Sequence, residues 1–217
     1  TFTEHFLHKA MGHLLQQLEK SSERHYAFIA IGHTAKQVGS DMKRFLDSIM
    51  KQIKSGLQSR GRKNALSKEP IFQCVGMLAK AVGPNLTKLL HNQLDLMFTC
   101  GLSEPLVQAL TYIAQDIPPL LKTIQDRLLE LLCVILSGQP YKPLGAPPSL
   151  GRNKVTTISR DLNVSQVSGN GKDSGVITLA LKTPGAFDFN GHTLNEGCAL
   201  PYLEDDHPEV RHAAAMT

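Results

Sequence analysis

At 217 residues the chain is long enough for a substantial core or for a short array of stacked helices. Aromatic residues make up only 6% and Trp is absent, a composition that argues against a β-sandwich. A formal net charge of +4 is too small an excess to imply a nucleic-acid partner by itself.

Residues 3–20 predict the first helix, with Leu7, Met11, Leu14, Leu15 and Leu18 on one stripe. Ser21 or Ser22 can cap a second helix, whose inward face is expected at Tyr26, Ile29, Ala30 and His33. Gly39 ends it. Ser40 can cap a third, with Asp41 favourable near its N-terminal dipole and Met42, Phe45, Leu46, Ile49 and Ile53 facing inward. The apolar pattern then stops over residues 56–68, where Arg60, Arg62, Lys63 and Lys68 form a basic loop. It reads as a solvated loop. A contact to phosphate or an acidic partner is the alternative, although no aromatic residues interleave the charges as single-strand binding requires.

Residues 69–137 organise the chain. They hold four apolar-periodic segments separated by helix-breaking residues, with stripes at Ile71, Val75, Leu78, Ala79 and Val82, then Leu86, Leu89, Leu90, Leu94 and Met97. The last two are Leu106, Leu110, Ile113, Ala114 and Ile117, then Leu121, Ile124, Leu128, Leu131, Leu132 and Ile135. None of these helices buries its face alone, so the four are expected to stack as antiparallel hairpins. Gly83-Pro84, Gly101 with Pro105, Pro118-Pro119 and Gly138 with Pro140 punctuate them.

Residues 139–175 are rich in Pro, Ser and Gly without sustained periodicity and predict a flexible excursion. Thr156, Ser159, Ser165 and Ser168 are ordinary phosphate acceptors within it. From Val176 a short helix or extended piece is expected, broken at Pro184-Gly185, with Phe187 and Phe189 pinning the chain back. Residues 192–203 have weak helical character, interrupted by Gly197 and Pro201, and Pro208 opens a last helix. Residues 1–138 thus form helical repeats, 139–175 a loop, and 176–217 a return segment with the start of a further repeat. The missing initiator Met and the helix running to Thr217 suggest a piece of something longer.

Chemistry is hard to find. The run 169–174 has neither GxxxxGK[ST] spacing nor a preceding strand, so it is not a phosphate loop. Asp188 lies in Phe-Asp-Phe, without a kinase catalytic-loop signature anywhere. His5 and His8 share a face, but no third ligand follows them, and with His13, His25 and His33 they read as surface or partly buried residues. Glu204, Asp205 and Asp206 read as a solvated acidic turn. Cys74, Cys100, Cys133 and Cys198 lack metal-ligand spacing and read as reduced, mostly buried thiols of a cytosolic protein. No apolar run approaches the ~18–20 residues of a membrane span. The expectation is therefore no catalytic, cofactor or metal residue, and an all-α solenoid whose hairpins have the length of HEAT-type repeats.

Several blocks carry a resemblance. FQCVGMLAKAVGP at 72–84, GLSEPL at 101–106, IQDRLL at 124–129, VITLALKT at 176–183 and FDFNGH at 187–192 are similar, in order and spacing, to the target of rapamycin (TOR) kinase family. The collinearity covers nearly the whole chain. Between His192 and Val210 the family pattern is an unbroken amphipathic helix, which here is shorter and contains Gly197 and Pro201.

The resemblance implies a fragment of the N-terminal HEAT array of a serine/threonine kinase in nutrient and growth signalling. Its ATP and magnesium residues would lie outside this chain, so the fragment is expected to be a non-catalytic scaffold without cofactors of its own. The implied partners are a raptor-type subunit and the TOR dimer, with no nucleic acid and no transmembrane segment. The implied location is the cytoplasm, with lysosomal or other endomembrane surfaces and the nucleus reached through the parent complex. The competing expectation is a HEAT-repeat adaptor unrelated to a kinase.

Overall fold

Apolar spacing of 3.6 residues becomes helix throughout the computed structural model, which describes residues 5–20, 22–59, 67–137, 173–187, 189 and 196–217. No strand occurs among the described residues, so the fold class is all-α, as expected. The α-helices are α1 (Leu7–Gln17), α2 (Arg24–Val38), α3 (Leu46–Gln58), α4 (Glu69–Val82), α5 (Thr87–His91), α6 (Leu94–Phe98) and α7 (Glu104–Asp116). They continue as α8 (Leu121–Ser137), α9 (Ser174–Ala186), α10 (Glu196–Ala199) and α11 (Pro208–Ala215). Single 3-10 turns precede α3, α5, α8 and α11 at Gly39–Phe45, Gly83–Leu86, Pro118–Leu120 and Leu200–Glu204. The predicted loop 139–175 lies outside the described residues except for its last three positions.

The helices fall into two compact units, Thr1–Cys100 with Glu104–Leu121, and Gly101–Ser103 with Lys122–Thr217. In the first unit α2 packs along α4, and α4 packs along α7. Helix α4 is thus held between two helices that are not its neighbours in the chain, the layer relation of an α-solenoid. It also explains why α4 is buried on nearly every side: Phe72, Cys74 and Gly76 are buried in addition to the expected stripe of Ile71, Val75, Leu78, Ala79 and Val82. The hairpin picture built from sequence neighbours missed this second contact. Small residues permit it. A Cβ on Gly76 would lie 2.9 Å from the Tyr112 ring and 3.5 Å from Ala109 Cα, and one on Gly32 would lie 2.4 Å from Met77 Cε.

That approach sets the phase of α2. Its buried residues are Ala27, Phe28, Ile31, Gly32 and Ala35, whereas Tyr26 is 71% exposed and His33 is exposed. The expected inward face was thus rotated, because it weighted the large residues over the Gly and Ala that let α4 come close. Gly39 does end α2, with φ of 55°. Ser40 caps nothing; it lies within a 3-10 turn that leads into α3, while Met42, Phe45, Leu46, Ile49 and Ile53 are buried as expected.

The second central segment is not one helix but α5 and α6. The break falls at Asn92 and Gln93, where Gln93 turns inward and donates its side-chain amide to the Met50 carbonyl of α3 over 2.9 Å. A polar side chain at an inward position needs such a partner.

In the second unit α9 packs along α11. Pro184 does not break α9, which runs on to Ala186. It sits in the last turn, where the lost N–H affects few bonds, and the Phe187 N–H still reaches the Thr183 carbonyl at 3.0 Å. Phe187 and Phe189 are both buried with ring centroids 5.1 Å apart, the anchors expected of them. Pro201 opens the 3-10 turn Leu200–Glu204, and Pro208 opens α11.

Candidate functional site

The basic segment 56–68 is the natural starting point for a site. Arg60, Arg62 and Lys63 lie outside the described residues. Lys68 is described, and it points inward. Helix α3 ends with orphan carbonyls, and the Lys68 ammonium donates to those of Gly56 and Ser59 and to Ser59 Oγ at 2.5, 2.8 and 2.9 Å. Its three protons are spent on closing a helix. Burial lowers the Lys68 pKa below its ordinary value; the Cys100 thiol nearby opposes this, and Arg24 adds to it. Arg24 is occupied in the same way, its Nε donating to the Leu18 carbonyl at 2.7 Å.

Between these residues lies a cavity of about 20 Å³ lined by Arg24, His25, Phe28, Ser59, Ser67 and Lys68. That is room for roughly one water, not for a nucleotide or metabolite. A wider, open hollow lies on the same unit between α5 and the Pro118–Leu120 turn, bordered by Thr87, Lys88, His91, Asn92, Pro119 and Leu120.

The remaining candidates resolve into local structure. His5, His8, His13, His25 and His33 are all exposed. The His8 ring stands edge-on to Phe45 at 5.9 Å, and His13 Nε2 lies 3.2 Å from the Gln17 amide. Among the described residues no three His, Cys, Asp or Glu side chains lie close enough to share a metal ion. The acidic turn serves the start of α11. Asp205 Oδ1 accepts from the His207 backbone N–H at 2.9 Å, and Arg211 donates to the carbonyls of Asp205 and Asp206 at 2.7 and 3.1 Å. Of the glycine-rich run 169–174 only Asp173 and Ser174 are described: Ser174 begins α9, and Asp173 caps it, accepting from the Gly175 N–H at 3.0 Å. Thr156, Ser159, Ser165, Ser168 and Asp188 lie outside the described residues.

The thiols divide by location. Cys74 is fully buried in α4, which pushes its pKa up to about 12. Cys100 is half-buried, its thiol directed at the Leu96 carbonyl at 3.3 Å. Cys133 on α8 and Cys198 on α10 are neighbours. Burial, then the neighbouring Cys198, holds the Cys133 thiol well above its ordinary range. Nothing in their spacing along the chain points to this contact. Among the described residues, no helix is long and apolar enough to cross a membrane.

No family model matches the chain. Curated proteins do. The chain is 36% identical to the serine/threonine-protein kinase tor1 of Schizosaccharomyces pombe, over 100% of its own length and 9% of the relative's. It is 32% identical to the serine/threonine-protein kinase TOR of Arabidopsis thaliana, over 99% of its length and 8% of the relative's. With the TOR kinase of Oryza sativa the identity is 34%, over 98% and 8%. The chain thus spans less than a tenth of the length of the curated relatives it matches.

Proposed function

We propose that this chain, homologous along its whole length to one segment of the TOR serine/threonine kinases, acts as a non-catalytic scaffold of such a kinase. The observation that carries the reading is collinear similarity over the entire chain to a small slice of much larger kinases. The packing supports it. Repeated helix-on-helix layers spend their apolar faces on one another and leave polar ridges for partners. Among the described residues, Lys68 and Asp205 serve helix ends, and His5, His8, His13, His25 and His33 face solvent. Phosphoryl transfer, with its ATP and magnesium, would then belong to another part of the parent kinase. An adaptor unrelated to any kinase is the less economical reading, because it leaves the full-length similarity without a reason.

Within that scaffold the chain helps assemble the kinase complex, docking a raptor-type subunit and contributing to the TOR dimer in the cytoplasm and at endomembrane surfaces. The test is capture of the raptor-type subunit by the purified chain, its helicity first verified by circular dichroism. Saturable capture supports docking. Absence of capture by the helical chain, alongside capture by the full kinase, removes the direct docking role. Phosphorylation of a generic peptide by the chain alone would remove the non-catalytic one.

A further inference from the structure

Helix α8 belongs to the centre of the chain, whereas α10 and the following 3-10 turn belong to the return segment near its end. Two contacts bring them side by side. Tyr202 is buried and donates its hydroxyl to the Leu136 carbonyl at 2.6 Å. One turn earlier on each segment lie Cys133 and Cys198, buried neighbours with relative exposures of 4% and 8%. Both cysteines are reduced. Both elements are short, α10 of four residues and the 3-10 turn of five; Leu200 and Leu203 point to solvent, and the turn packs on α11.

We propose that Cys133 and Cys198 form an oxidisable dithiol, a modification site at which a peroxide converts the thiol pair into a disulfide that ties the return segment to α8. The chemistry balances. One thiol, as its thiolate, attacks a peroxide oxygen and becomes a sulfenic acid as water leaves. The second thiol displaces the sulfenic oxygen, the S–S bond forms, and a second water is released. The cysteines lose two electrons and the peroxide gains them. A low-molecular disulfide gives the same product by two exchange steps, releasing two thiols.

Burial governs the rate. Both thiols are shielded from solvent while the segment is docked, so attack requires the segment to lift first. Oxidation is therefore slower than at a more accessible thiol such as Cys100. The disulfide, once closed, suppresses further lifting, since it links two distant points of the chain.

The experiment uses the full chain. Hydrogen peroxide is added to the reduced protein, free thiols are blocked with an alkylating reagent under denaturing conditions, and the products are digested without reductant for mass spectrometry. The expected result is a cross-linked peptide pair containing Cys133 and Cys198, lighter by two hydrogens and separated by dithiothreitol. The chain stays monomeric on a non-reducing gel, its Tm rises by roughly 10 °C, and amide exchange over 196–204 slows. Cys198→Ala abolishes all three changes and Cys100→Ala abolishes none. Recovery of Cys133 and Cys198 fully alkylated after Cys100 has oxidised would overturn the proposal, as would cross-links only between chains. The peptide map of the unsubstituted protein decides the matter even if Cys198→Ala does not fold.

Discussion

Gly32 and Gly76 both sit where two helices touch, but what faces them differs. A methyl at Gly32 meets chiefly the terminal methyl of Met77, the movable end of a flexible side chain, although Met77 Sδ and Cβ follow at 3.1 and 3.3 Å. A methyl at Gly76 meets the edge of the Tyr112 ring, with the Ala109 backbone behind it. Gly76→Ala is thus expected to lower stability by roughly 1–3 kcal/mol through overpacking. Gly32→Ala should stay within about 1 kcal/mol, its strain offset by better helix propensity. Urea unfolding of the two variants checks the order, and a larger loss at Gly32 would refute it. Cys74 makes a prediction about pH. Its folded thiol titrates at about 12 against an ordinary value of 9.0. Between those values the unfolded chain releases the proton that the folded chain keeps. The stabilisation is complete below pH 9 and is lost as pH rises towards 12, at about 1.4 kcal/mol per pH unit. Unfolding measured at pH 8 and pH 10.5 should show the loss, and Cys74→Ala should reduce it, leaving the share of Cys133, whose thiol is likewise raised by burial.

Among the elements, the 3-10 turn Leu200–Glu204 reaches α8 through the Tyr202 hydroxyl. Tyr202→Phe keeps the ring in the core but leaves the Leu136 carbonyl without this donor. A cost of about 1–2 kcal/mol is expected, with faster amide exchange over 196–204 as the local readout. Gln93 provides the contrast. Its amide donates to Met50, yet its buried Oε1 has no hydrogen-bond partner. Gln93→Met gives up one hydrogen bond and also removes a desolvated oxygen, so the change in stability should be under about 1 kcal/mol. A loss of several kcal/mol by thermal unfolding would mean that the amide fixes the α5–α6 break more firmly than its single bond implies. Pro184 shows why a breaker residue is a weak local signal: near the end of α9 it removes a bond that the last turn can spare.

For the whole chain, two units with separate packing clusters predict separate responses. Gly76→Ala should raise amide exchange first in α2, α4 and α7, whereas Tyr202→Phe should act on α10 and α11. Uniform acceleration across all helices in both variants would mean that the units unfold as one. In a linear reading the basic and acidic stretches look solvated, with a contact to phosphate or an acidic partner the alternative for the basic one. In the fold, Lys68 closes α3, and Asp205 with Arg211 orders the start of α11. Backbone groups at helix ends compete for charged side chains, and that competition leaves no mark in composition.

By itself the sequence determined that the chain is helical, where most helices begin and end, and which large apolar residues are buried. Exclusion of water acts on every amphipathic segment in the same way, so its period is written locally. The collinear blocks likewise pointed to the TOR kinases before any fold was known. Only the tertiary structure decided the phase of α2, the break between α5 and α6, the inward turn of Lys68 and the meeting of Cys133 with Cys198. Each depends on which surface arrives from elsewhere in the chain. A glycine becomes a contact only when another helix reaches it, and two thiols become a pair only when their segments dock.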